Sequence, residues 1–195
     1  MPYLTHIDNT EIASMEAEAF PGRIVVISAP EAVQPAIDHL RQAPAIGFDT
    51  ETRPNFRKGQ HNEVALLQLS TADCCYLFRL NRLGIPPELG ALLADEHVLK
   101  IGLSLPDDFR ALRQRTKVTF ANFIDLQNFV RRTTDIQETG LRKIYAIIFR
   151  KKISKGQQLS DWESPLLTPA QQRYAALDAW ACLRIYERLS AEKQL

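Results

Sequence analysis

Two hydrophobic rhythms alternate along this chain. Short apolar runs bounded by turn residues, RIVVIS (23–28), AIGFDTET (45–52) and VLKIGLS (98–104), read as strands. EVALLQLST (63–71) and CCYLFRL (74–80) are separated by so few residues that they predict consecutive strands joined by a tight turn, a meander opening the sheet. Between these runs the spacing changes to three and four. PEAVQPAIDHLRQA (30–43) reads as a helix despite its internal proline, and residues 86–94, 106–115, 124–132 and 139–149 read as further helices. TPAQ (168–171) places Thr at the N-cap, Pro at N1 and Gln at N3, so it should start a long terminal helix running to about residue 190. A strand-rich first half followed by a helix-rich second half predicts an α/β sandwich. No internal repeat or low-complexity tract interrupts it, and the polar stretches 53–62 and 150–165 are the segments expected to move.

Size and composition narrow the frame. A chain of 195 residues, 45% of them hydrophobic, can bury one domain core and little more, so a single domain is expected. The formal net charge of +1 does not advertise a polyanion partner; any such contact must come from a local basic surface or from bound metal. The N-terminus has neither a basic start nor an apolar core of signal-peptide length, and no apolar run reaches about 18 residues. A soluble, cytoplasmic protein is the expectation. Cys74, Cys75 and Cys182 fit neither a disulfide framework nor a zinc spacing and read as small buried residues; His6, His39, His61 and His97 are scattered and form no cluster.

The chemistry is carried by acids placed in apolar surroundings. Asp49 and Glu51, two apart on a strand, point to one face and can reach one site. Alone, that pattern also fits a solvated acidic strand end. Tyr174 and Asp178, four apart on a helix, share a face flanked by Ala175, Ala176, Ala179 and Ala181, small enough to let the helix come close to a sheet; the alternative is a tightly packed helix whose acid points to water. Either Asp107 or Asp108 can simply stabilise the N-terminal turn of their helix, where acids complement the dipole, and that is the reading preferred for Asp107. Asp108, three after Leu105 and four before Leu112, lies on the inward stripe and needs a partner. An ionised carboxylate in apolar surroundings is costly without compensation, and an oxygen-only set with no Cys or His suits Mg²⁺ or Mn²⁺ rather than zinc. That donor set points to phosphoryl-transfer chemistry.

Taken together, FDTE, KIGLSLPDDFRAL and YAALDA stand in the order and spacing of the DEDD superfamily of 3′–5′ exonucleases. The chain resembles its tyrosine-bearing branch, which contains ribonuclease D and the Werner-type exonuclease domain; the linking segments VALLQLS, IDLQ and LSDWESPLLTPAQQRYAALDAW match in character. Where the histidine-bearing branch has His five residues before the last Asp, this chain has Arg173, with Tyr174 four before. The resemblance implies an RNase H-like (DnaQ-like) mixed sheet flanked by helices, with an N-terminal extension over residues 1–22 and a catalytic domain over 23–192. It further implies hydrolysis at the 3′ end of a nucleic acid with release of nucleoside 5′-monophosphates, using two divalent ions about 3.5–4 Å apart. By the same resemblance Asp49 would bridge the ions, Glu51 and Asp178 would complete the nucleophile side, Asp108 would support the second ion directly or through water, and Tyr174 would orient the attacking water. DNA is weakly favoured, because NFRKGQHNEVALLQ looks closer to the Werner type.

Substrate contacts are less legible. Arg53, Arg57, Lys58 and His61 follow the first motif, and Arg150, Lys151, Lys152 and Lys155 form the densest basic run; either group can track phosphates or be solvated surface charge. Phe56 can stack on a terminal base or fold against the domain, and Trp162 reads as a packing residue. The short chain is expected to be a stand-alone catalytic domain or one taken from a longer protein, with a protein partner delivering substrate; its oligomeric state is not encoded in these patterns. The competing class is a nuclease-like binding scaffold that kept the fold alone, against which stands the presence of all five reactive side chains. A phosphatase using a covalent aspartyl phosphate would want Asp-x-Asp, where this chain has Asp-x-Glu.

Overall fold

In chain order the elements are α1 (Asn9–Ser14), β1 (Arg23–Ile27), a 3₁₀ turn (Pro30–Ala32) leading into α2 (Val33–Leu40), β2 (Ala45–Thr52), β3 (Val64–Ser70), β4 (Cys74–Arg79), α3 (Leu80–Leu83), α4 (Pro87–Leu93), β5 (Leu99–Gly102), α5 (Leu105–Leu112), β6 (Phe123–Asp125), α6 (Leu126–Thr133), α7 (Leu141–Phe149) and α8 (Pro169–Glu192). The computed structural model describes residues 3–54 and 62–192. The strands form one sheet in the order β1-β4-β3-β2-β5-β6. β2, β3 and β4 are the antiparallel meander that the spacing predicts, and parallel pairs β1–β4, β2–β5 and β5–β6 complete a mixed sheet flanked by helices.

Alternation along the strands builds two cores. Ile46 and Phe48 of β2, with Leu67 and Leu69 of β3, join Ile37, Leu40, Leu92, Leu105 and Leu112 on one face. On the other face Leu66, Cys75 and Leu77 meet Trp162 and Ala175–Ala176 of α8, while Ile101 and Ala45 meet Ala181 and Leu183. α8 starts with the capping box read from TPAQ: Gln171 N–H donates to Thr168 Oγ1 (3.2 Å), and Thr168 N–H donates to Gln171 Oε1 (2.9 Å). Residues from 175 to 183 of α8 are buried without interruption, so the helix is an interior element rather than an amphipathic cover. Its approach is set by Gly47: a Cβ there would lie 1.9 Å from the carbonyl oxygen of Ala179. Only a missing side chain on the strand and small ones on the helix permit that contact.

Three features differ from the sequence-based expectation. The helix read over 124–132 is preceded by a sixth strand: Phe123–Asp125 pairs in parallel with β5, and the helix begins at Leu126. Three residues are too short for any period to register, and Asp125 doubles as the cap of α6, accepting from Gln127 N–H (2.8 Å). The segment before β1 carries α1, whose Ile12 is buried with Ile7 in the larger core. Ala17 bridges Lys152, and Glu18 is enclosed by Tyr145, Lys151 and Arg184. Finally, the 150–165 segment is irregular yet anchored, with Ile153 and Trp162 fully buried. The other segment expected to move, 53–62, falls mostly outside the described residues.

Because the contact at Gly47 leaves no room for a methyl group, Gly47→Ala should lower stability by about 3 kcal/mol or more, read as a shift in the urea midpoint at unchanged m-value. A loss below about 1 kcal/mol would mean that α8 can yield, contrary to this packing.

Candidate active site

Gly47, Asp49 and Glu51 lie on the α8 face of β2, alternating with Ile46 and Phe48, which are committed to the opposite core. The approach of α8 at Ala179 carries the preceding residue, Asp178, to the same place. One carboxylate oxygen each from Asp49, Glu51 and Asp178 lies within 4.8 Å of the others. Asp108 stands at the edge of this trio. Ser104, with φ 61° and ψ 35°, turns the chain sharply from β5 into α5, held by Gln127 Nε2 donating to its hydroxyl (2.7 Å). The first turn of α5 then aims Asp108 at β2, where Thr50 Oγ1 donates to its carboxylate. Asp107 points outward and pairs with Arg110 (3.1 Å), as suits a residue serving the helix terminus.

Electrostatics mark this as a site made for cations. Burial and the facing charges of Asp178, Asp108 and Glu51 push the Asp49 carboxyl well above the usual range. Burial with the charges of Asp178 and Asp108 raises Glu51 to about 9. Burial raises Asp178 to about 7, against the opposing effects of the Tyr174 phenol and the Arg142 guanidinium. Burial likewise raises Asp108 to about 6, against the Thr50 hydrogen bond. Four carboxylates placed so close cannot all ionise without positive charge between them. The donors are hard oxygens with no sulfur ligand in play: Cys182 lies behind them, its thiol held far above its usual value by burial, so it remains a neutral packing group. The residues therefore fit divalent cations of the Mg²⁺ or Mn²⁺ kind, with Asp49, Glu51 and Asp178 as the natural holders and Asp108 adjoining.

Tyr174 sits one helical turn before Asp178 on the same face, its phenol close enough to that carboxylate for each to shift the other's pKa. Its ring lies 6.0 Å from that of Trp162, which is fully buried and so packs rather than presents a platform. Burial, followed by the charges of Asp178 and Glu51, raises the phenol above its ordinary value, and it stays a donor at any physiological pH.

The basic residues sort differently from the sequence pattern. Arg150 pairs with Glu11 (2.5 Å), Lys151 with Glu18 (3.4 Å), and Lys152 Nζ donates to the Ala13 carbonyl (2.6 Å), so three of the four cations in that run secure the N-terminal segment. Arg53 is engaged by Asp161 and Glu163, while Phe56, Arg57, Lys58 and His61 lie outside the described residues. Two cations that carried no sequence signal, Arg142 and Lys143, lie on the first turn of α7 and line the same groove as Tyr174 and Asp178. Their placement depends on the packing of α7 against α8, which no local pattern encodes. Gln68 was also silent. It pairs across strands with Asp49, is fully buried, and has no hydrogen-bond partner on either amide atom among the described residues. A polar residue in the middle of VALLQLS was its only sequence signal.

Comparison with known proteins comes down on one family. A model of the 3′–5′ exonuclease family matches residues 24–194. The mouse protein "Bifunctional 3′-5′ exonuclease/ATP-dependent helicase WRN" is 30% identical over 155 residues, covering 77% of this chain and 11% of that protein. "Exonuclease 3′-5′ domain-containing protein 2" of Drosophila melanogaster is 34% identical over 161 residues, 80% of this chain and 27% of that one. The chain thus spans less than a third of either relative. Among solved structures, the exonuclease domain of Aedes aegypti Nibbler superposes with a TM-score of 0.80 at 23% identity, covering 91% of this chain and 93% of that one. Escherichia coli RNase D superposes with a TM-score of 0.77 at 24% identity over 88% of this chain and 45% of that one, so both share the fold.

The acids' elevated pKa values have a stability consequence whose sign is fixed. Between the unfolded values near 4 and the folded values, which reach about 9, the folded chain binds more protons than the unfolded one; stability present at low pH is therefore lost as pH rises. In EDTA the melting temperature should fall from about pH 5 to pH 9, and Mn²⁺ or Mg²⁺ should restore it. Asp178→Asn should flatten that profile and stabilise the metal-free chain by about 1–3 kcal/mol at alkaline pH. A metal-free melting temperature that rises with pH would contradict this reading of the site.

Proposed function

Since this chain belongs to the 3′–5′ exonuclease family, we propose that it removes nucleotides from the 3′ end of a nucleic acid by hydrolysing the terminal phosphodiester, with two divalent cations and release of nucleoside 5′-monophosphates. The observation that carries this reading is the convergence of Asp49 and Glu51 from β2 with Asp178 from α8, oxygens within 4.8 Å, with Asp108 beside them. An anionic phosphodiester repels an incoming nucleophile, so a site for its hydrolysis needs positive charge and a positioned water rather than a covalent nucleophile. Bound divalent cations would supply that charge at the scissile phosphate and lower the pKa of the attacking water.

The chain's own residues do the rest. Asp49, Glu51 and Asp178 hold the cations, and Asp108, fixed by Thr50, completes the cluster on the α5 side. Tyr174 remains protonated and is a poor base; its phenol, beside Asp178, orients the water or a phosphate oxygen by hydrogen bonding. Water adds to phosphorus, the P–O3′ bond breaks, and the leaving 3′-oxygen takes up a proton. The phosphate then stays on the 5′ carbon of the released nucleotide. DNA is the first substrate to try, with RNA of the same sequence as the comparison.

The decisive assay follows a 5′-labelled strand with Mg²⁺ or Mn²⁺, and the expected product is a ladder shortening from the 3′ end that EDTA abolishes. Asp49→Ala, Asp108→Ala and Asp178→Ala should each reduce turnover by about 10³-fold or more in a folded protein, Tyr174→Phe by about 10- to 100-fold, and Asp107→Ala by less than about twofold. Loss of activity in Asp107→Ala with full activity in Asp108→Ala would reverse the assignment within α5. A folded, metal-loaded chain that cleaves neither DNA nor RNA would favour a nucleic-acid-binding scaffold instead.

A further inference from the structure

From the acids a groove of about 400 Å³ runs between the first turn of α7 and the segment that follows Ile153. Tyr174 and Asp178 line it together with Arg142, Lys143, Lys155 and neutral residues. Its charge is the informative point: three cations against one acid, and that acid belongs to the proposed cation site. The two walls are tied together by Arg142, whose Nε donates to the Ile153 carbonyl (2.8 Å); its guanidinium forms no close ion pair among the described residues, and its charge acts on Asp178 from the groove. Lys155 is exposed and forms no ion pair among the described residues. Lys143 is partly engaged, by Glu138 at 3.0 Å. The neighbouring cations at 150–152 are, by contrast, all tied to the N-terminal segment.

A polyanionic strand entering a cluster of four carboxylates meets repulsion that cations at the cluster offset only locally. Its flanking phosphates need separate compensation, and unpaired guanidinium and ammonium groups in a groove are suited to give it. We propose that this groove binds the phosphates of a single strand next to the scissile bond, with Arg142 and Lys155 as the contacts. The inference rests on the exonuclease reading and extends it. It assigns substrate holding to α7 and the post-153 segment, not to the basic run that the sequence displays. Neither residue takes part in bond cleavage; both position the strand.

The test compares a single-stranded oligonucleotide of about twelve residues with a dinucleotide, whose only internucleotide phosphate is the scissile one. On the oligonucleotide, Lys155→Ala should raise KM about five- to thirtyfold, leave kcat within about twofold, and reduce the slope of log KM against log salt by about 0.7; Arg142→Ala should raise KM by a similar factor, its kcat being free to change because its charge also acts on Asp178. On the dinucleotide Lys155→Ala should match the unsubstituted chain, and Lys151→Ala should match it on both substrates. An unchanged KM on the oligonucleotide, or an equal rise on both substrates, overturns the proposal. Lys155→Ala carries the test if Arg142→Ala proves unfolded by circular dichroism, since Lys155 holds no structural contact of that kind. Should the unsubstituted chain cleave nothing, the exonuclease reading fails. Fluorescence anisotropy of a labelled oligonucleotide with the Asp49→Ala chain then decides the groove separately: binding weakened about five- to thirtyfold by either added substitution supports it, and unchanged binding overturns it. Parallel DNA and RNA strands show which sugar the groove accepts.

Discussion

The contact between Gly47 and the Ala179 carbonyl governs the rest of this molecule. A strand with a side chain at that position would hold α8 away from the sheet, and Asp178 and Tyr174 would withdraw with it. The glycine lies in the same alternating row as Asp49 and Glu51, so the position that admits the helix and the positions that carry the acids are spaced by the pleat itself. The helix answers with alanines at 175, 176, 179 and 181, which bury almost nothing individually but allow backbone to approach backbone. Sheet and helix thus meet where the chemistry is wanted.

Such proximity carries a cost that the surroundings absorb. Burial acts against ionisation at all four acids, the charges of the neighbouring acids add to it at Asp49 and Glu51, and a stiff frame keeps the cluster together without cations. α8 provides stiffness through burial along its middle turns, its capping box and the apolar clusters on either side. α5 is fixed from the other side by the left-handed Ser104 and by Asp125, which accepts from Leu105 N–H (2.9 Å). Lys100, fully buried in β5, spends its charge on the carbonyls of Leu92 and Asp95 at the end of α4, and so serves the frame rather than the chemistry. The N-terminal segment belongs to this frame too: Glu18 collects Tyr145, Lys151 and Arg184, linking α7 to α8 next to the groove.

Charge distribution shows why linear clusters mislead. Arg150, Lys151 and Lys152 are contiguous and conspicuous, yet Glu11, Glu18 and the Ala13 carbonyl neutralise or occupy them. Arg142 and Lys143 are unremarkable in the chain and stand at the mouth of the acidic site. A side chain's availability to a polyanion depends on which acids the fold brings opposite it, and those come from more than a hundred residues away, as Glu11 does for Arg150.

The α/β class, the meander, the capped terminal helix and the faces that carry Asp49 and Glu51, Asp108, and Tyr174 and Asp178 were legible because each rests on a local period: two along β2, three and four along α5, four along α8. β6 was not, since three residues in a parallel edge pair have no period, and α1 was hidden in a polar stretch whose burial depends on Ile7 and Ile12 finding the large core. The sequence by itself determined which faces carry acids and which carry core, because a strand or helix decides that within a few residues. Only the tertiary structure decided that three carboxylates converge within 4.8 Å, and which of the described cations find acids opposite them. Those outcomes are set by the approach of separate elements, and no spacing within one element contains that distance.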